Sequence, residues 1–180
     1  VNAVAPGQLE APFGISSFYF GTYGCGDLIQ FYPNNGTPQA CSAWTSFNQN
    51  SSANNLKNIV VGLKNGSYTT PGVAAGDTLN FTNGNTASVF PKLVELYNAK
   101  KDANGNWDVF IPVYDSPSCA SSQNSGALPV VGFAEVRVNN VQAAPSSLIT
   151  ANVLCQIFQG NTVGGGHPYG VFSDIPGLVK

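Results

Sequence analysis

Residues 129–141 carry the most regular strand pattern in the chain. Small or β-branched side chains recur at every second position: Val130, Gly132, Ala134, Val136 and Val138. This period of two is typical of a strand with one buried face. The opposite face begins apolar and turns polar at Glu135 and Arg137. Gly132 and Ala134 leave little side chain on the inner face, so a bulky group or another backbone can approach closely there.

Two helical patterns and about seven strand patterns surround this segment. Leu56, Ile59, Val60 and Leu63 follow helical spacing behind Ser51 and Ser52, either of which can cap a helix. A second helix is predicted from a Ser88 cap to about Lys100, with Pro91 in its first turn. These elements predict an α+β, mostly β fold: an antiparallel sheet or a β-sandwich/barrel-like domain with two short helices.

A chain of 180 residues is expected to form one domain. We predict a single β-rich domain over residues 13–180, preceded by an extended N-terminal arm at 1–12 that is interrupted by proline and glycine. Val1, Val4 and Leu9 of this arm are the predicted assembly residues, because an extended arm can add a strand to a neighbour's sheet edge. No apolar run reaches the length of a membrane span, although an anchor or export signal before Val1 is compatible with a processed chain.

The four cysteines, Cys25, Cys41, Cys119 and Cys155, are widely spaced and even in number. This pattern favours two disulfides and an oxidising compartment over a metal site. We favour Cys25–Cys41 and Cys119–Cys155, because each bond then closes within one half of the chain; free buried thiols are the alternative.

Candidate catalytic and metal-binding residues are scattered. The single histidine, His167, lies among glycines with no nucleophile motif beside it, and no spacing singles out a carboxylate pair. Residues 102–106 (DANGN) lack the acidic pattern of a calcium loop and are predicted to be a surface turn. Glu135 and Arg137 are predicted to form a solvated ion pair. We therefore predict no enzyme activity, no metal and no cofactor.

The composition limits the kinds of molecule that the protein is expected to bind. Only 9% of residues are charged and the formal net charge is −2, so nucleic-acid binding is not expected. Trp44 and Phe47 are predicted to fill the core. Aromatic side chains such as Trp44 and Tyr68 could instead stack on sugars, which makes a glycan-binding module the alternative. Asn-x-Ser/Thr glycosylation sequons occur at Asn35, Asn50, Asn65 and Asn80.

Several short segments resemble one known family. They are residues 11–15 (APFGI), 73–77 (VAAGD), 109–115 (VFIPVYD) and 130–136 (VVGFAEV), with Leu56, Ile59 and Gly62 in the first helix, Gly84-Asn85 and Ile149. Over about residues 11–158 this order resembles the exported region of TadE/TadG-like proteins of bacterial tight-adherence (Flp) pilus systems. The resemblance implies an extracellular or envelope-associated pilus protein and carries over no catalytic residue. The sequence from Val1 onward does not include the hydrophobic N-terminal anchor with which such proteins start, so we expect either that the anchor was cut away or that the chain is a released, separately assembling subunit.

The leading hypothesis is a non-enzymatic, exported structural subunit of a pilus or extracellular filament, or a pilus-associated envelope protein at the cell surface. Its expected partners are copies of itself or other pilus subunits. The alternative hypothesis is a surface adhesin or glycan-binding module that uses exposed aromatic residues.

Overall fold

The computed structural model describes residues 3–20, 25–31, 41–83, 87–118 and 125–154, and the backbone of 157–158 and 172–173. The strands within these residues are β1 (Ala3–Val4), β2 (Phe13–Ser16), β3 (Leu28–Phe31), β4 (Ser42–Phe47), β5 (Val73–Ala74), β6 (Thr78–Thr82), β7 (Trp107–Tyr114), β8 (Gly126–Gln142), β9 (Leu148–Val153), β10 (Ile157–Phe158) and β11 (Phe172–Ser173). The helices are α1 (Ser17–Phe20), α2 (Ala53–Asn65) and α3 (Phe90–Lys100).

The main sheet has the strand order β3-β9-β8-β6-β4-β2-β7, and β7 also pairs with β8. This additional pairing closes β8, β6, β4, β2 and β7 into a ring, which we call the closed ring. Strands β9 and β3 lie outside it and extend the sheet from β8; with the adjoining parts of β7 and β8 they form what we call the open end. Most pairs are antiparallel, but β2 and β7 run parallel. The predicted β-rich, barrel-like α+β class is confirmed.

Strand β8 is long enough to belong to both the closed ring and the open end. It spans 17 residues, more than the regular pattern indicates. Its first residues pair with β6 and its last ones with β9, while β7 lies along the opposite edge. The β7 register shifts between Val113 and Tyr114, so the strict alternation expected from the sequence is interrupted between Val130 and Gly132 by a bulge.

The closed ring is tightly packed. Phe81 and Tyr114 place their ring centroids 4.5 Å apart. A Cβ added at Gly14 would lie 2.7 Å from the carbonyl oxygen of Pro112 and 3.0 Å from the Phe81 ring. Only glycine therefore fits at the point where β2 meets β7 without movement of the backbone.

Two helices cover the ring's outer face and behave largely as their periodicity predicts. Ser52 caps α2 by accepting a hydrogen bond from the Asn55 amide at 3.1 Å, which confirms one of the two expected caps. Trp44 of β4 packs edge-to-face on Phe90 of α3, with centroids 5.2 Å apart. The expected Ser88 cap on α3 is wrong, because the N-cap is Val89 and no side chain bonds there. The described residues also contain a third helix, the one-turn α1, which the sequence did not predict.

The N-terminal segment folds back on its own domain. Strand β1 pairs with β5 through Val4 opposite Val73, and the Gly7 amide donates to Thr70 O at 3.0 Å. Val4 is 5% exposed and Leu9 is fully buried. These two predicted arm residues are therefore part of the domain core, and Val1 lies outside the described residues.

Candidate functional site

A row of side chains crosses the four strands of the open end. Asp108 of β7 is directly opposite Arg137 of β8, Arg137 is opposite Asn152 of β9, and Asn152 is opposite Leu28 of β3. Residues directly opposite in a sheet share a face. The neighbouring row, Trp107–Val138–Ala151–Ile29, faces the buried side. The open end therefore has one apolar face against the core and one outward face, which we call the polar face.

An ion pair occupies one end of this row. Arg137 Nε donates to Asp108 Oδ1 and Arg137 Nη2 donates to Asp108 Oδ2, each at 2.7 Å. The hydrogen bonds that it donates to Asp108 raise the pKa of Arg137 above its usual value. The two side chains are 38% and 37% exposed, so solvent screening keeps the pair's contribution to stability small. The expected Glu135–Arg137 pair is wrong, because Arg137 lies against the neighbouring strand instead.

Glu135 lies beside this pair, and it belongs to none of the ion pairs found among the described residues. Burial raises the pKa of its carboxyl group, and repulsion from Asp108 adds to that effect while Arg137 opposes it. The negative charge of the Glu135 carboxylate is therefore in an electrostatically unfavourable position on the polar face.

Two amides continue the polar face. Asn139 Nδ2 donates to Asn152 Oδ1 at 2.7 Å, while Asn139 Oδ1 is buried and has no hydrogen-bond partner among the described residues. The β8–β9 register shifts next to Asn139. The Tyr97 hydroxyl lies 2.6 Å from both Asn139 O and Gly105 O, which ties α3 to this irregular point of β8 and to the turn that precedes β7.

Strand β3 forms the end of the described sheet. Leu28 is 56% exposed, the most exposed large hydrophobic side chain within the described residues. The Tyr19 hydroxyl donates to Gln30 O at 3.4 Å, so α1 covers only part of the outer edge. A short edge strand with an exposed leucine is the kind of element to which another chain can add a strand.

The structure describes two of the four cysteines, Cys25 and Cys41. Cys25 and Cys41 are both disulfide-bonded, and within the described residues no cysteine is free. Cys25 is exposed, whereas Cys41 is fully buried. Cys119 and Cys155 lie outside the described residues, as do His167 and Asn35.

The aromatic residues proposed for glycan stacking are poorly placed for it. Trp44 is fully buried, which confirms the prediction that it fills the core and removes it from the glycan-binding alternative. Tyr68 is half-buried and packs on Phe47, with ring centroids 6.2 Å apart. Burial raises the pKa of the Tyr68 hydroxyl. Neither ring lies as a flat exposed platform.

The turn after α3 is organised by its own aspartate. Asp102 Oδ1 accepts hydrogen bonds from the Asn104 and Asn106 amides at 2.8 Å, and these bonds, the one from Asn106 foremost, lower the pKa of Asp102. The Asp102 carboxylate therefore stabilises the turn. Among the residues that the structure describes, no three His, Cys, Asp or Glu side chains come together as metal ligands, and no helix there is long and apolar enough to cross a membrane.

The polar face was missed at the sequence level because its members come from separate strands. The available signal was the alternation within each strand: Asp108 interrupts buried Trp107 and Val109, just as Arg137 interrupts Val136 and Val138. Aligning β7 with β8 in register would have placed the two charges opposite each other. Comparison of the chain with protein-family models, curated proteins and solved structures found no match.

Proposed function

We propose that this chain is a non-enzymatic, exported structural subunit of a pilus or extracellular filament, and that it joins its neighbour through the open end of the sheet. The observation that carries the proposal is the edge of β3, where Leu28 is 56% exposed. Pairing of this edge with a strand of another subunit would satisfy its outward backbone groups and bury the leucine.

Composition and cysteine chemistry support the same assignment. A charged fraction of 9%, against about 25% in average soluble domains, lowers the desolvation cost of covering much of the surface with neighbours. Disulfides at Cys25 and Cys41 suit an oxidising, extracellular location. The resemblance to TadE/TadG-like pilus proteins supports the filament context.

The test is assembly of the full chain, followed by negative-stain microscopy and light scattering over a range of concentrations. We expect filaments or regular oligomers for the wild type and their loss in Leu28→Lys. Val61→Lys is the matched control, because Val61 is also an exposed apolar residue, at 39%, but lies on α2. A monodisperse monomer at every concentration, or equal loss in both variants, would contradict the proposal.

The N-terminal segment is less suitable as the joining element. Leu9 and Val4 are buried in their own domain, so joining through them would require the segment to leave that site. Deleting residues 1–12 would also remove core side chains, and a loss of assembly would then reflect a destabilised monomer. Leu28→Lys avoids this ambiguity.

A surface adhesin or glycan-binding role is the second candidate. It is favoured by the polar face, where the Arg137–Asp108 pair lies beside the Asn139–Asn152 amides, since such groups can hydrogen-bond sugar hydroxyls. A glycan array with wild type and Asn152→Ala tests it. Binding that is reduced at least tenfold in the variant would support this role, and the absence of signal above background would argue against it.

A further inference from the structure

We infer that Asn65 is the acceptor of an N-linked glycan in the folded protein. It begins one of the four Asn-x-Ser/Thr sequons, of which the structure describes two others, at Asn50 and Asn80. The fourth, at Asn35, lies outside the described residues. Of the three described sequons, only that of Asn65 combines exposure of all its residues with a hydroxyl that the fold does not use. The inference does not rest on the proposed function.

The Asn65 sequon forms the turn at the C-terminal end of α2. Asn65, Gly66 and Ser67 are all exposed, and Gly66 is in the left-handed conformation with φ +79°. Apart from its chain neighbours, a Cβ placed on Gly66 would meet no atom within 4 Å, so the space beside the turn is open. The Tyr68 amide donates to Gly62 O at 3.2 Å and returns the chain to the helix. A large sugar can therefore be attached to this turn without displacing core side chains.

The Asn65 side chain is already oriented for transfer. Its Oδ1 accepts a hydrogen bond from the Ser67 amide at 3.0 Å, which is an Asx turn. Because a carboxamide is planar and carries Oδ1 and Nδ2 on opposite branches, Nδ2 points away from the turn. No described residue bonds this nitrogen. The hydrogen bond to Oδ1 also draws electron density from the amide, so an Nδ2 proton is easier to remove.

The hydroxyl two residues after the acceptor completes a sequon. Ser67 Oγ makes no hydrogen bond within the part of the chain that the structure describes, so a transferase can bind it without breaking a contact of the fold. In the Asn50 sequon the corresponding hydroxyl belongs to Ser52, which caps α2 by accepting from the Asn55 amide at 3.1 Å. A transferase that binds Ser52 would compete with this cap. Asn50 is therefore the poorer acceptor in the folded chain.

The Asn80 sequon lies within β6 and is closed to modification. Asn80 Nδ2 donates to Gln49 O at 2.9 Å, and Asn80 O accepts a hydrogen bond from Thr45 Oγ1 at 3.1 Å. The middle residue of the sequon, Phe81, is 1% exposed. Strand β6 is paired on both sides, with β4 and with β8. A sugar on Asn80 would require the Gln49 bond to break and the closed ring to open.

The chemistry of amide glycosylation identifies the donor class as an oligosaccharide carried on a lipid diphosphate. Asn65 Nδ2 attacks the anomeric carbon, and the N–C bond forms as the C–O bond to the phosphate breaks. The lipid diphosphate leaves with the bonding electrons, and one Nδ2 proton passes to a base of the transferase. No oxidant or reductant is consumed. Such transfer takes place on exported chains, and the disulfides at Cys25 and Cys41 are consistent with export.

Transfer to the folded full chain tests the inference. The probe is a dolichyl-diphosphate-linked oligosaccharide with a single-subunit oligosaccharyltransferase, and peptide mass spectrometry measures the occupancy of each site. Synthetic peptides that carry the Asn50, Asn65 and Asn80 sequons give the rate of each site without the fold. Relative to its peptide, we expect Asn65 to be modified about fivefold faster than Asn50, the factor that corresponds to loss of a typical N-cap, and Asn80 to stay unmodified.

Two results would overturn the inference. One is modification of Asn65 no faster than that of Asn50 or Asn80 in the folded chain. The other is a folded chain without sugar on Asn65 under conditions in which the Asn65 peptide is modified.

Variants of Ser67 separate recognition of the sequon from accessibility alone. Ser67→Ala leaves Asn65 exposed but removes the hydroxyl, and it should abolish modification. The matched Ser67→Thr restores a hydroxyl and should retain modification. Circular dichroism checks that both variants are folded. Modification of Ser67→Ala at the wild-type rate would contradict the inference.

Release of the sugar from the protein isolated from its own source distinguishes glycosylation from spontaneous deamidation, to which the Asn65–Gly66 sequence is prone. Peptide N-glycosidase in heavy-oxygen water converts a glycosylated asparagine to an aspartate that carries the heavy isotope. An aspartate that formed earlier stays unlabelled. We expect labelled aspartate at position 65, whereas unlabelled aspartate or unmodified asparagine alone would overturn the inference.

Discussion

The closed ring and the open end belong to one sheet but use their side chains differently. In β4, within the ring, all six residues are buried, because the strand has the ring's interior on one side and the helices on the other. In β9, at the open end, buried and half-buried residues alternate, because only one face meets the core. The comparison indicates that burial is concentrated in the ring, whereas the open end keeps one face towards solvent, and it is there that we propose contact with other molecules.

The largest expected effect is truncation of a fully buried aromatic residue of the ring. Trp44→Ala should lower the free energy of unfolding by about 3–5 kcal/mol, because a fully buried indole leaves a cavity. Trp44→Phe should cost clearly less, since the Trp44 Nε1–H has no partner to lose. Urea denaturation measures both. Phe18→Ala is the control: Phe18 is 53% exposed, and a change within about 0.5 kcal/mol is expected.

A matched pair of leucines compares the two regions directly. Leu79 of β6 in the ring is 3% exposed, and Leu28 of β3 is 56% exposed. Leu79→Ala should destabilise the monomer by about 2–5 kcal/mol, and Leu28→Ala by less than about 1 kcal/mol. Denaturation below the assembly concentration separates folding from association. Equal costs would contradict the proposed division between ring and open end.

The ion pair on the polar face should contribute little. Asp108→Asn is expected to lower the free energy of unfolding only slightly at low ionic strength, and this small cost should fade near 1 M salt, where the screening length falls to about 3 Å. A double-mutant cycle with Arg137→Gln isolates the interaction. A coupling energy that is unchanged by salt would show that the pair is more shielded from solvent than its exposure implies.

The smallest expected effect is pH-dependent. Because the pKa of Glu135 is raised in the folded state, the folded protein holds this proton more tightly than the unfolded chain. The resulting stabilisation is present below the ordinary glutamate pKa and is lost as pH rises through the folded-state value. Glu135→Gln should remove this dependence and flatten the stability curve in mildly acidic solution, leaving the variant at least as stable as wild type at neutral pH. Denaturation curves between pH 3 and 7, chosen to span about that window, measure the difference.

Local patterns predicted the elements more successfully than their arrangement. The buried positions of α2, Leu56, Ile59, Val60 and Leu63, follow from helical spacing, and the Ser52 cap follows from side-chain chemistry. The segment of residues 13–23 was harder to interpret, because its aromatic density fits either a strand or a packed loop. The structure divides its first residues between β2 and α1, a choice made by contacts with β4 and β7.

The candidate site could be predicted only in part. Alternation identified Glu135 and Arg137 as outward-facing residues of β8. It could not show that Arg137 forms its ion pair with Asp108, which is 29 residues away in sequence. Ion-pair choice depends on register between strands, which single-strand periodicity does not encode. Burial of Trp44 and Phe47 was predicted, because large aromatic residues in a chain with few charges are more often core than surface, and it is confirmed.

By itself the sequence determined where the longer elements α2, α3, β7, β8 and β9 lie, which of their faces are apolar and that the cysteines suit an oxidising environment. These properties depend on residues close in the chain, through hydrogen-bond geometry and side-chain periodicity. Tertiary structure alone decided that β8 closes the ring with β7 and β6 while its far end carries β9 and β3. That outcome depends on which distant strands bury the most apolar surface together, and it is what leaves one edge and one polar face open.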